Sequence, residues 1–264
     1  MINVNQLAED LNLVRKKSPL VHNITNFVVM NNTANGLLSI GASPVMAHAV
    51  EEMEDMVSIA SALVINMGTL SKHWVEAMII AGKAAKTKGI PVIFDPVGAG
   101  ATPYRSETAM MILKECKPDI IRGNASEIMS LAKSDIVTKG VDSTAKSESA
   151  LELGKELALK TGAVVSISGQ EDYITDGQII NTVKNGSPMM PKVTGLGCTA
   201  SSITGAFAAI NKDKLAAASH AMAVMGVAGE LAAQKSDGTG SLQVHFLDTL
   251  FNLTGEMLIK NLRQ

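Results

Sequence analysis

Pro91-Val-Ile-Phe-Asp95 lies between two runs of the same kind, Ala62-Leu-Val-Ile-Asn66 and Asp119-Ile-Ile-Arg122. Each is short, almost continuously apolar and closed by a polar or charged residue. Strands buried on both faces read this way, because neither face can be polar. The helical patterns Trp74 to Thr87 and Thr108 to Glu115 separate them. Strands alternating with helices predict a mostly parallel central sheet covered by helices on both faces.

Outward from this centre the alternation continues. Helices are expected over Asn5 to Lys16, Phe27 to Leu38, Glu51 to Ala60, Ala125 to Ala132 and Ser147 to Lys160. Leu20 to Thr25 and Ala163 to Ile167 read as strands, and Ser43 to Met46 as a short extended piece. Tyr173-Ile-Thr and Gln178 to Thr182 form a hairpin pattern around Asp176-Gly177. Three long helical stretches follow from about Ala200. With no repeat and no linker-like stretch, residues 1–264 are expected to form a single domain.

The bulk composition excludes several classes. Apolar residues make up 46% of the 264 residues, which rules out a disordered chain. The formal charge is −2, leaving no electrostatic footprint for nucleic acid. Anionic ligands must then be held locally. Cys116 and Cys198 make no disulfide framework and suit a reducing cytoplasm. No signal peptide is read at the N-terminus. The apolar stretch Leu215 to Ala233 is interrupted by His220 and Glu230, so a core helix is expected there and no membrane span.

In such a sheet ligands bind beyond the carboxyl ends of the strands. Those ends read Asn66-Met-Gly68-Thr69, Asp95-Pro-Val-Gly98-Ala-Gly100-Ala-Thr102, Arg122-Gly123-Asn124-Ala-Ser126-Glu127 and Ser166-Ile-Ser168-Gly169. A later loop, Thr194-Gly-Leu-Gly-Cys-Thr199, opens a helix of small residues. Its unpaired N–H groups and the positive end of the helix dipole form an anion site. Taken alone, it reads first as an ordinary loop-to-helix junction, and it is the other strand ends that turn it toward an anion site. Asp95 is either a Mg²⁺ ligand or the start of a turn before Pro96. Asn124 and Glu127 have capping-box spacing, compatible with Glu127 also orienting a metal-bound water. Arg122 ends a buried strand and needs a partner, a phosphate or a carboxylate. Cys198 reads either as a small buried hydrophobe or, at a helix start where the dipole is expected to lower the thiol pKa, as a proton acceptor. His22, Asn23, Thr25 and Asn26 close the first strand and are candidates to line a pocket. His48, His73, His220 and His245 show no metal-ligand spacing and are read as structural. No Walker-type phosphate loop is present.

Six motifs then occur in order: Val21-His-Asn-Ile-Thr-Asn26, Gly41-Ala-Ser-Pro-Val-Met46, Asn66-Met-Gly-Thr-Leu70, Asp95 to Thr102, Arg122 to Glu127, and Gly195-Leu-Gly-Cys198. Together they closely resemble the hydroxyethylthiazole kinases of the ribokinase-like superfamily, from about residue 20 to about residue 210. The resemblance implies a three-layer α/β/α fold. It implies ATP-dependent phosphorylation of 4-methyl-5-(2-hydroxyethyl)thiazole with Mg²⁺, a salvage step of thiamine biosynthesis. It also implies a homotrimer with active sites between subunits.

Carried over position by position, the resemblance puts Met46 and Gly195 on the thiazole, with Asn26 nearby. Arg122 and Ser168 fall on ATP, Ser168 standing where the family often has Thr. Asp95 and Glu127 organise Mg²⁺. The N–H groups of the turn from Gly195 through Gly197 to Cys198 stabilise the transferring group. Cys198 occupies the place where most of the wider superfamily carries an Asp base. Two rival readings stand beside this one: another small-alcohol kinase of the same fold, such as a hydroxymethylpyrimidine kinase, and a non-catalytic nucleotide-binding protein.

Overall fold

The computed structural model describes residues 1–135 and 146–264. Eight strands form one sheet: β1 (Leu20–Ile24), β2 (Ser43–Val45), β3 (Ala62–Asn66), β4 (Val92–Asp95), β5 (Ile120–Asn124), β6 (Val164–Ser168), β7 (Asp172–Thr175) and β8 (Ile180–Val183). Their order is β2-β1-β3-β4-β5-β6-β7-β8. Every pairing from β2 to β6 is parallel, and the β6–β7 and β7–β8 pairings are antiparallel. The parallel sheet expected from the three apolar runs is therefore present, with the predicted hairpin on its edge.

Helices cover both faces, and the strands' own alternation divides the core between them. Ala62, Val64, Ile93, Ile120 and Val164 point to one face. There they meet α1 (Val4–Lys17), α2 (Met30–Ile40), α8 (Leu196–Ile210), α9 (Lys214–Ala233), α10 (Thr239–Asn252) and α11 (Gly255–Asn261). Leu63, Ile65, Val92, Phe94, Ile121 and Val165 point to the other. They meet α3 (Met53–Ile59), α4 (Lys72–Lys88), α5 (Pro103–Cys116), α6 (Ala125–Asp135) and α7 (Lys146–Thr161). Side chains of a strand alternate between faces, so near-continuous apolar runs are what two covered faces demand.

Helix α9 is long and apolar enough to cross a membrane by length and composition, but 78% of that window is buried inside the fold. It is the expected core helix.

Two expectations are corrected. The helix predicted from Phe27 begins at Met30. Residues 26–29 form a turn instead, with Val29 N–H donating to the Asn26 carbonyl and Phe27 N–H to Thr69 Oγ1. The chain also ends in four helices after residue 195, not three. Thr254 breaks the last stretch by capping a separate short helix, accepting from Met257 N–H at 3.2 Å.

Candidate active site

The parallel strands bring their carboxyl ends to one edge, and α8 starts above it. The N-cap of α8 is Gly195, whose φ of +91° is left-handed and open to few residues but glycine. No side chain caps this helix start. The N–H groups of Leu196, Gly197 and Cys198 precede the first intrahelical donor, Thr199, which bonds the Gly195 carbonyl at 2.8 Å. Three amides are thus gathered at the positive end of a 15-residue helix, as the anion-site reading requires.

Beneath them lies a buried polar chain. Asn26 Nδ2 donates to Asn66 Oδ1 at 2.8 Å and reaches Cys198 Sγ at 3.6 Å. Asn66 Nδ2 donates to Asp95 Oδ2 at 2.8 Å, and Ser201 Oγ donates to the same oxygen at 2.7 Å. Asn26, Asn66, Asp95 and Ser201 are all essentially excluded from solvent. The strand register explains the juxtaposition, because Asn66 and Asp95 are directly paired at the ends of β3 and β4. Ser201 points down from the second turn of α8.

Arg122, on β5, donates from Nη1 to the Gly197 carbonyl at 2.9 Å. Its partner is therefore the anion loop itself. Its buried Nε has no partner among the described residues, which is a donor left for a ligand. Two buried carboxyls stand within electrostatic range of it, Asp95 and Asp172. Burial pushes each up to about 6, against the pull of Arg122.

The same burial overturns one expectation. Cys198 occupies the helix start foreseen for it, yet its thiol is pushed up to about 11, first by burial and then by the neighbouring Asp95. Desolvation and a like charge outweigh the helix dipole here. At neutral pH Cys198 is a thiol.

Glu127 forms the capping box read from the sequence. Asn124 N–H donates to its Oε2 at 2.8 Å, and Glu127 N–H donates to Asn124 Oδ1 at 3.0 Å. Its other oxygen does something the spacing did not show: it accepts the N–H of Gly98 at 2.9 Å, in the loop after Asp95. Glu127 raises the pKa of Asp95, so the two carboxyls feel each other. A divalent cation between them fits. Among the described residues Asp95 Oδ1 takes no hydrogen bond, the repulsion calls for a positive charge, and Mg²⁺ needs only one or two carboxylates besides water and phosphate oxygens. No group of three or more metal-ligating side chains occurs among the described residues.

The remaining candidates flank this cluster. Ser168 ends β6, half-buried, its hydroxyl donating to the Gly123 carbonyl at 3.3 Å. Met46 follows β2 at the opposite edge, half-buried, its carbonyl 3.4 Å from His48 Nδ1. Of the first strand's polar set, only Asn26 reaches the site. His22 lies buried with Nε2 on the Ala47 carbonyl, and Asn23 accepts from Ser202 Oγ beneath α8. The sequence assigns no role to Asn66 or Asp172, and reads Ser201 only as one of the small residues that leave room for a phosphate at the start of α8. Asn66 carried a visible signal, since it ends its strand as Asp95 ends the next.

Comparison with other proteins agrees with this geometry. Residues 11–256 match the model of the hydroxyethylthiazole kinase family. A hydroxyethylthiazole kinase of Leptospira biflexa is 57% identical over 254 residues, covering 96% of this chain and 95% of the relative. The solved structure of a hydroxyethylthiazole kinase protein from Pyrococcus horikoshii OT3 superposes with a TM-score of 0.92 at 39% identity, over 98% of both chains. A ribokinase-like superfamily protein from Enterococcus faecalis, 15% identical, shares the fold with a TM-score of 0.65 over 90% of this chain and 87% of its own.

Proposed function

The chain belongs to the hydroxyethylthiazole kinase family, and from that premise we propose how its own residues carry out the transfer. The enzyme is a kinase with ATP as phosphoryl donor. The acceptor is the hydroxyl of 4-methyl-5-(2-hydroxyethyl)thiazole, and the product enters thiamine salvage. The observation that carries the reading is the set of amides at Leu196, Gly197 and Cys198, unpaired among the described residues, with Arg122 on one side and the Asn26–Asn66–Asp95 chain on the other.

The hydroxyl oxygen attacks the γ-phosphorus in line. A new O–P bond forms as the bond to the bridging oxygen breaks, and ADP leaves with that electron pair. The transition state is loose, so positioning and charge stabilisation dominate. The three amides at the start of α8 face the oxygens of the transferring group. Arg122, with Nε unpaired, takes phosphate charge, and Ser168 offers a hydroxyl on the same flank. Met46, Asn26 and Gly195 bound the acceptor. Cys198, a thiol, orients the hydroxyl; the proton leaves late, onto a phosphoryl oxygen. Asp95 and Glu127 would hold Mg²⁺, which when bound neutralises the β- and γ-phosphate oxygens.

The chain acts as one kinase domain over residues 1–264. It works in the cytoplasm, in keeping with the free thiols of Cys116 and Cys198. It assembles as a homotrimer with its sites at subunit boundaries. Exposed Phe27 and Val28, directly after Asn26, support that placement; light scattering on the purified protein decides it.

The reading is tested by following ATP turnover with the thiazole alcohol, with a hydroxymethylpyrimidine and with no acceptor. Turnover confined to the thiazole alcohol is expected. Preference for the pyrimidine moves the protein to the neighbouring activity, and nucleotide binding without turnover on any alcohol overturns catalysis.

A further inference from the structure

Three backbone carbonyls from two loops converge on one side chain beside the site. Arg105, in the first turn of α5, donates through Nη1 to the carbonyls of Met67 and Val97, each at 2.7 Å. Its Nη2 donates to the Gly68 carbonyl at 2.6 Å. Met67 and Gly68 follow β3, and Val97 follows β4. Arg105 is itself fixed by the cap of α5, its N–H donating to Thr102 Oγ1 at 3.2 Å. The loop after Asp95 folds tightly over the guanidinium: Gly98 has φ +73°, and a Cβ there would stand 3.3 Å from Arg105 Cδ and Nη1.

Two of these carbonyls belong to peptide units whose other end acts in the site. The Val97 carbonyl and the Gly98 N–H are one peptide, and that N–H donates to Glu127 Oε1 at 2.9 Å. The Met67 carbonyl and the Gly68 N–H are another, and that N–H donates to Asn66 Oδ1 at 3.0 Å. A peptide unit is planar, so fixing the carbonyl direction fixes the N–H direction. A charged donor on the carbonyl also polarises the bond made at the opposite end.

We propose that Arg105 is a positioning residue that sets the Met67–Gly68 and Val97–Gly98 peptide planes, and through them holds Asn66 and Glu127 on either side of Asp95. The proposal rests on reading Asp95 and Glu127 as the carboxylates of phosphoryl transfer. The planar fork is essential to it. A guanidinium spans carbonyls on two loops at once, which a single ammonium on a shorter, mobile stem does not. This accounts for an arginine whose side-chain hydrogen bonds, among the described residues, go to carbonyls and to no carboxylate.

The test uses R105K and R105A in the full chain, with two readouts. Amide hydrogen exchange at Gly68 and Gly98 reports the peptide planes, and steady-state turnover of the thiazole alcohol reports their consequence. Both amides are expected to exchange faster in R105K, with kcat lower by roughly 10–100-fold, as when a supporting partner of a metal-site carboxylate is lost. KM for the alcohol is expected to stay unchanged. Added guanidinium ion is expected to restore part of kcat in R105A and to slow both amides again. Should R105A fail to fold, R105K carries the test alone. An R105K enzyme with wild-type kcat and wild-type exchange at both glycines overturns the proposal. If the wild type phosphorylates no alcohol, the functional reading falls. The exchange data still decide the positioning claim: faster exchange supports it and unchanged exchange sinks it.

Discussion

Asn66 and Asp95 end neighbouring strands as a register pair, and Asn66 Nδ2 donates to Asp95 Oδ2 at 2.8 Å while its own oxygen accepts from Asn26. One buried amide therefore joins the side of the site assigned to the acceptor to the carboxylate assigned to the metal. Asn66→Leu keeps the volume but removes both ends of that link. It leaves Asn26 Nδ2 and Gly68 N–H without their buried acceptor. Each such loss costs about 1–3 kcal/mol. The expected result is a lower Tm and a kcat reduced by about 10–100-fold, with little change in the KM of the alcohol. If only Tm falls, Asn66 braces the fold and does not serve the reaction.

Burial of Asp95 yields a stability prediction with a definite sign. Its folded pKa of about 6 lies above the ordinary 3.8. The folded state thus prefers the protonated acid. That contribution is fully present below about pH 4 and is lost as pH rises through about 6, where the carboxylate must ionise in a dry environment. Asp95→Asn mimics the neutral acid and keeps an oxygen to accept from Asn66 and Ser201. Above pH 7 the variant is expected to be more stable, by on the order of 3 kcal/mol. Near pH 4 the gain disappears. Thermal melts at pH 4, 6 and 8 measure this, alongside loss of kinase activity. A Tm difference independent of pH would show that Asp95 is not strained as a carboxylate.

Cys198 supplies a chemical test of the same electrostatics. With its thiol pushed up to about 11, it is protonated throughout the neutral range, and Cys116, pushed up to about 12, is deeper still. Alkylation of Cys198 by iodoacetamide is expected to be slow at pH 7 and to keep accelerating beyond pH 9, with buried Cys116 as the unreactive internal control. Cys198→Ala is expected to lower kcat by about tenfold, short of the 10²–10⁴-fold that loss of a general base removes. Rapid alkylation at pH 7 with an inflection below pH 8 would restore the thiolate reading.

These residues also mark what the sequence conveys and where it stops. Strands β3, β4 and β5 were legible because two covered faces favour near-continuous apolar runs, and the residues closing those runs named Asp95 and Arg122. Strand β5 itself continues past Arg122 to Asn124, so Arg122 lies within its strand and does not end it. Glu127 was legible as a cap, since Asn124-x-x-Glu127 is a local pattern. Its bond to Gly98 was not, because it crosses from the first turn of α6 to the loop after β4 through the sheet order. Arg105 was missed for the same reason: its three acceptors are backbone atoms, which have no sequence signature. The sign of the Cys198 shift was misread because position in a helix is local, whereas burial depends on everything packed around it.

Gly195 and Gly197 separate backbone strain from side-chain intrusion within one turn. Gly195 has φ +91°, and a Cβ there would lie 3.0 Å from Val29 Cγ1. Gly195→Ala combines a left-handed penalty of about 1–2 kcal/mol with that contact. The turn must rotate, pulling on the Thr194 carbonyl that Asn32 holds at 3.1 Å and swinging the following amides away from the transferring group. Loss of one such donor typically removes about 10²–10³-fold in kcat. Gly197 has no left-handed φ and lies inside α8, so Ala is a better helix former there. Its added methyl instead meets Arg122 Nη1 at 3.1 Å, at the group that bonds the Gly197 carbonyl. Gly197→Ala is therefore expected to leave Tm unchanged or raised while weakening ATP, seen as a higher KM for ATP. Gly195→Ala is expected to lower both Tm and kcat. Melting curves and ATP titrations of the two variants in parallel decide the matter. If Gly197→Ala binds ATP as the wild type does, Arg122 is not the phosphate contact and is only the brace of the loop.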